Sequence, residues 1–176
     1  MVKIFGVSAR VNETWTGREG YGIDVDIYKG RTKLGNYRDE ADGSMPYFEG
    51  DTELLKSIAD KYFTRFPPNL IGANIPVGKD PKEHMSFCFD ENAFIEELLS
   101  LTDDEKLCRK SFNKGYKVVV FTKYPIFAKG PHPKPQYVSF PKDDDKAIQK
   151  WIKAKKAEWP LMEFAIYRDL SQFKIE

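Results

Sequence analysis

A chain of 176 residues, 41% hydrophobic and 14% aromatic, can build a core, and its 31% charged residues supply a solvated surface, so a disordered composition is excluded. Lys and Arg (28) nearly balance Asp and Glu (27), and a net charge of +1 gives the molecule no global attraction to nucleic acid or membrane. No apolar run reaches the ~18 residues of a bilayer span, the charged stretch 1–10 is too short for a signal peptide, and Cys88 and Cys108 are too few for a disulfide framework; a cytoplasmic protein with no membrane partner is expected.

Residues 2–11 read as a first strand whose more apolar side carries Phe5, Val7, Ala9 and Val11. Asn12 to Gly22, with three glycines around Trp15, reads as a polar loop. Gly17-x-x-Gly20-x-Gly22 is not the dinucleotide fingerprint, because no helix pattern follows to receive a pyrophosphate. Ile23, Val25 and Ile27 then alternate with Asp24, Asp26 and Tyr28, which predicts an antiparallel strand covered on one side only. Lys29–Thr32 is a turn, 33–38 returns as a third strand, and 39–50 is loop. Asp51 caps a helix with Leu54, Leu55, Ile58, Ala59, Tyr62, Phe63 and Phe66 at helical spacing, stopped by Pro67-Pro68.

Residues 67–89 form a connection, with a short strand expected at Met85–Phe89. Asp90 is a second N-cap, with Phe89 and Phe94 placed as a hydrophobic staple. Thr102-Asp103-Asp104-Glu105 matches a capping box, so a further helix is expected to start there and end at Gly115. The apolar β-branched run Lys117–Lys123 between Gly115 and Pro125 predicts a strand buried on both faces, in mid-sheet. Tyr124–Pro135 is a proline-rich loop and 136–140 a short strand. A helix follows Asp143-Asp144-Asp145, with Ile148, Trp151 and Ile152 inward, and a last strand occupies 161–167. The fold expected is α+β, mainly antiparallel sheet with about four helices. It is a single compact unit, or two subdomains at 1–66 (βββα) and 90–176 (ααββαβ) joined by 67–89.

No residue set specifies a reaction, and no catalytic residue, metal or cofactor is assigned. Asp24, Asp26 and Asp39 would suit a two-metal nuclease only if they converge, and alternating acids are also what a solvent-facing strand carries. His84-Met85-Ser86 has half the pattern of a two-histidine phosphoesterase, but His132-Pro133-Lys134 lacks the second hydroxyl. No Gly-x-Ser-x-Gly and no paired cysteine spacing is present.

The charge layout says more. Acids dominate from Asp80 to Glu105, and none occurs from Lys106 to Lys142. Lys106, Arg109, Lys110, Lys114, Lys123, Lys129 and Lys134, extended by Lys146, Lys150 and Lys153 and accompanied by Phe127 in the stiff loop, form the candidate binding set. Bases with exposed aromatics suit phosphates and stacked nucleobases; the alternative is an ordinary surface neutralised by the 80–105 acids. The function expected is a non-enzymatic protein that binds a protein or nucleoprotein complex stoichiometrically, such as a mobile-element inhibitor of a host defence nuclease of anti-CRISPR or anti-restriction type. Direct binding of DNA or RNA through 106–153, or a carboxylate-metal nuclease, are the alternatives.

Overall fold

The computed structural model describes residues 1–71, 73–125, 127 and 136–176. They form an α+β fold with two mostly antiparallel sheets. Two compact units are present: Met1–Pro68 with Ile75–Asp103 and Phe173–Glu176, and Asn69–Asn74 with Asp104–Gln172. The chain passes between the units at 68/69 and 74/75, within the 67–89 connection, and again at 103/104 and 172/173.

The first unit holds a six-stranded sheet. Its strands are β1 (Lys3–Ile4), β2 (Val7–Gly17), β3 (Gly20–Lys29), β4 (Thr32–Asp39), β5 (Tyr47–Gly50) and, from the far end of the chain, β9 (Lys174–Ile175). They lie in the order β5-β4-β3-β2-β1-β9; β9 runs parallel to β1 and every other pair is antiparallel.

The single strand expected over 2–11 is broken at Phe5-Gly6, where φ is +48° and +81°. Positive φ at both central residues folds the chain back as a two-residue hairpin, so Ile4 faces Val7. The turn switches which residues point inward: Ile4 and Val7 are buried, while Phe5 is half-buried under the Lys61 ammonium, 4.1 Å from its ring centre.

The loop expected over 12–22 is instead a second hairpin with Arg18 and Glu19 at its tip. Trp15 is a strand residue paired with Gly22, and its indole lies over that glycine so closely that a Cβ there would overlap the ring. The indole Nε1 donates to the Glu40 carbonyl at 3.3 Å, and the Arg38 guanidinium sits 5.2 Å from the ring centre. Gly22, one of the glycines that made this stretch look like a loop, is therefore the space the tryptophan occupies, while Gly17 admits the backbone of Glu40 and Ala41. The expected loop 39–50 likewise contains β5.

On β3 the alternation holds. Val25 and Ile27 are fully buried, while Asp24, Asp26 and Tyr28 face the other way. Tyr37, paired with Val25, is buried and donates to Glu96 Oε1 at 3.3 Å. Helix α1 (Thr52–Arg65) starts where Asp51 accepts from the Leu54 N–H at 3.0 Å, and it buries Leu55, Ile58, Ala59, Tyr62 and Phe63. Burying such a side chain contributes about 1.5–3 kcal/mol. No strand forms at Met85–Phe89. A four-residue helix α2 (Pro81–His84), capped by Asp80, leads into a 3-10 turn at Ser86–Cys88.

Helix α3 (Glu91–Asn113) begins at Asp90 as expected, with the Ala93 N–H donating to Asp90 Oδ1 at 2.8 Å. It does not restart at Thr102. The Thr102 hydroxyl donates back to the Leu98 carbonyl at 2.8 Å, as a mid-helix threonine does, and no Gly or Pro upstream breaks the helix. Its end follows the Schellman pattern. Gly115 has φ +88°, its N–H bonds the Phe112 carbonyl at 2.9 Å, and the Tyr116 N–H bonds the Ser111 carbonyl at 3.2 Å.

In the second unit β6 (Val118–Lys123) is the centre of a three-stranded sheet. It pairs antiparallel with β7 (Tyr137–Phe140) on one side and β8 (Glu163–Tyr167) on the other. Val118, Val119, Val120, Phe121 and Thr122 are all buried. Val118 and Val120 meet Ile148, Trp151 and Ile152 of helix α4 (Asp145–Glu158). The opposite face meets α3: Ser139, paired with Val119, donates to Ser111 at 2.9 Å, and Lys123 bonds Asp104 at 3.0 Å.

Replacing Gly22 with Ala should cost about 1–3 kcal/mol, because the added methyl forces the Trp15 indole away. The expected result is a lower urea midpoint together with a red-shifted tryptophan emission. An unchanged midpoint would show that Trp15 does not rest on Gly22.

Candidate binding surfaces

The acids of the first sheet occupy its polar face as a linked row. Asp24 Oδ1 accepts from Asn12 at 2.7 Å and from Asn36 at 3.0 Å; Asp26 Oδ1 accepts from Asn36 at 3.2 Å and from Lys33 at 2.6 Å. Arg38 lies 3.8 Å from Asp24 and bonds Glu40 at 2.5 Å. The strand register produces this row. Asp24 stands opposite Arg38 and Asp26 opposite Asn36, while a bulge between Ile27 and Tyr28 brings Lys33 within reach.

The hydrogen-bonded Lys33 ammonium, aided by Asn36 and Asn12, holds the Asp26 carboxyl down to about 2. Asn12 and Asn36, with Arg38, hold that of Asp24 below its usual range. Asp39 does not join them. It pairs with Ile23, hence lies on the other face, and its carboxylate accepts from the Ala41 N–H at 2.8 Å. Among the described residues no group of three or more His, Cys, Asp and Glu side chains is placed to hold a metal ion.

The basic set is divided by the second sheet. Lys106 and Lys110 on the outside of α3, and Lys114 just past its last residue, follow one another at four-residue intervals, and all three are exposed. Lys146, Lys150 and Lys153 are exposed on the outside of α4, across the sheet from them. Two bases are used inside the unit: Arg109 bonds the buried Glu105 at 2.5 Å, and Lys123 bonds the buried Asp104 at 3.0 Å. The expected neutralisation by the acids before 106 thus holds for Arg109 and Lys123. Lys110, Lys114, Lys146, Lys150 and Lys153 form no ion pair with any described residue. Phe127 is half-buried. Lys129, Lys134, His132 and most of the proline-rich loop lie outside the described residues.

Cys88 and Cys108 are buried free thiols; burial pushes Cys108 up to about 12 and raises Cys88 as well. His84 is exposed on the short helix α2. Sequence reasoning missed Arg168, whose Nε bonds Asp143 at 3.0 Å and whose Nη2 bonds Asp145 at 2.8 Å. No local spacing links residues 23 to 25 apart in sequence, so only the sheet topology reveals this pair.

No known protein family, no curated protein and no solved structure matches this chain. Among the described residues no helix is long and apolar enough to cross a membrane.

The Asp26 pairing has a definite pH signature. A carboxyl lowered in the folded state contributes stability that is complete above its unfolded value near 4 and is lost as pH falls toward 2. Urea titrations at a series of pH values should therefore show a decline through that window that is shallower in Asp26→Asn. Equal slopes in the two proteins would mean that Lys33 and Asn36 do not hold the carboxylate.

Proposed function

We propose that the chain is a non-enzymatic binding protein that acts by stoichiometric contact with a protein or nucleoprotein partner. The observation that supports this reading is the contrast between its two polar regions. The acids that could have served chemistry are tied to Asn12, Asn36, Lys33 and Arg38 on one sheet face, whereas five exposed lysines on α4 and at the C-terminal end of α3 form no ion pair with any described residue. An unpaired lysine is an inexpensive device for steering and registering an acidic partner, because its charge is not already satisfied. Two lysine-bearing helices on opposite sides of one sheet suit a protein that is engaged from more than one side, as within a nucleoprotein assembly. A small inhibitor of a host defence nuclease, of anti-restriction or anti-CRISPR type, is the kind of binder this reading has in view.

Capture from a host lysate followed by size-exclusion chromatography is the test. A partner should co-elute in fixed ratio, and Lys110→Glu with Lys114→Glu should weaken its retention at least tenfold. Turnover of a nucleic-acid substrate by the purified protein, abolished by Asp24→Ala, would overturn the reading in favour of an enzyme.

A further inference from the structure

The exposed side of α4 is a ridge of lysines. With Ile148, Trp151 and Ile152 turned to the sheet, Lys146, Lys150 and Lys153 fall on the opposite side and Lys156 on the flank beside Ile152, and all four are exposed. At about 1.5 Å per residue they span roughly 15 Å of helix. Gln149, Ala154 and Ala157 fill the ground between them, so no large apolar side chain breaks the ridge.

The acids adjacent to this ridge in sequence are bonded to other groups. Asp143 and Asp145 are held by Arg168 at 3.0 and 2.8 Å. Asp144 caps the helix, accepting from the Lys146 and Ala147 N–H groups at 3.0 and 3.3 Å. Glu158 lies 3.5 Å from Lys155, which is not a ridge residue. The ridge therefore carries charge that its own helix does not cancel, although the run Asp143-Asp144-Asp145 stands next to it in sequence.

From this arrangement we infer that the α4 ridge binds the phosphate backbone of a nucleic-acid duplex without reading its sequence. This rests on the proposal that the chain is a binding protein and specifies what one of its faces touches. Three features choose this occupant. Lysines are compact point charges suited to phosphates, and a row of them neutralises successive backbone charges. A protein partner would be expected to find aromatic, Met or Arg anchors, whereas the ridge consists of Lys, Gln and Ala, and Lys is depleted from protein interfaces. A single strand would be held by exposed aromatic rings; the aromatics of α4 and its C-cap are instead packed, Trp151 edge-on to Phe164 at 5.8 Å and Trp159 edge-on to Tyr124 at 6.2 Å.

The test is fluorescence anisotropy of the full chain with a labelled duplex of arbitrary sequence. Four phosphate contacts at about 0.9 each give a log–log salt slope near −3.6, hence about a hundredfold loss of affinity between about 50 and about 200 mM salt. Lys150→Ala with Lys153→Ala should bring the slope to about −1.8, and Lys150→Glu with Lys153→Glu should abolish binding, while Lys110→Glu with Lys114→Glu leaves it unchanged. Circular dichroism of each variant confirms that α4 is intact; because the Ala pair keeps a good helix former at both sites, it remains informative if the Glu pair unfolds. The proposal is overturned by absence of duplex binding at low salt, by binding that survives the α4 changes, by tighter binding to the matching single strand, or by an acidic protein that competes only through α4. Each result leaves the captured partner's fixed ratio a separate question, since a stable complex could persist through α3 alone.

Discussion

The second unit is governed by the burial of β6 on both faces. Val118 and Val120 point one way, Val119 and Phe121 the other, and none is more than 6% exposed. A strand with valine on each face cannot leave either face to water, so one helix must lie on each side of the sheet. The chain supplies α3 before the strand and α4 after it. Each helix turns its apolar stripe inward and its lysines outward. The separation of the basic set into two surfaces is thus a direct consequence of residues that carry no charge. A linear reading of 106–153 sees one continuous basic segment, because it cannot see the sheet that lies between its two helices.

What was legible in the sequence follows the same logic. Wherever apolar periodicity extended over several residues and ended at a proline, a capping acid or Gly115, the element formed as expected. This holds for β3, α1, β6, β7, α4 and the C-terminus of α3. Failures came where a local signature has two physical meanings. Thr102-x-x-Glu105 caps a helix only if the chain arrives from outside one; here Thr102 continued a helix already under way, and its hydroxyl bonded backward to Leu98. Gly17, Gly20 and Gly22 mark flexibility in a loop, but Gly22 marks close approach once Trp15 lies on it. Phe5 offered no warning of a turn, since it adopts a positive φ that its residue type disfavours. The candidate lysines were legible as a list, whereas their grouping depended on strand order.

The acids of the first sheet illustrate how neutralisation depends on register. Asp24 and Asp26 are two residues apart on one strand and would repel if left alone. Asn36 on the neighbouring strand donates to both, Asn12 and Lys33 complete the row, and the carboxyls end below their usual range rather than above it. A pair of acids arranged to share a proton shows the opposite tendency, with one carboxyl driven upward. This row belongs to the architecture of the sheet. It ties three strands together by side chains on a face where apolar burial cannot.

A near-zero net charge conceals an uneven use of the bases: Lys33 and Lys123 are paired with acids, as several arginines are, while the exposed lysines of α4 are not. Arg38, Arg109 and Arg168 each grip carboxylates, and Arg168 takes two at once from Asp143 and Asp145. The planar guanidinium presents several donors in fixed directions, so it satisfies an acid, or a pair of acids, at little further loss of freedom. Each carboxylate occupied in this way is withdrawn from the lysines around it. Asp145 is next to Lys146 in sequence, yet its Oδ1 is bonded by a residue 23 positions later. At the start of α4 it is Arg168 and the helix cap, not the exposed lysines, that contact the neighbouring acids. The exposed positive surface of α4 is therefore set by where Arg168 leaves β8 as much as by the lysines themselves. A chain with the same composition, but with Arg168 elsewhere, would leave those two acids free to cancel the first turn of the ridge.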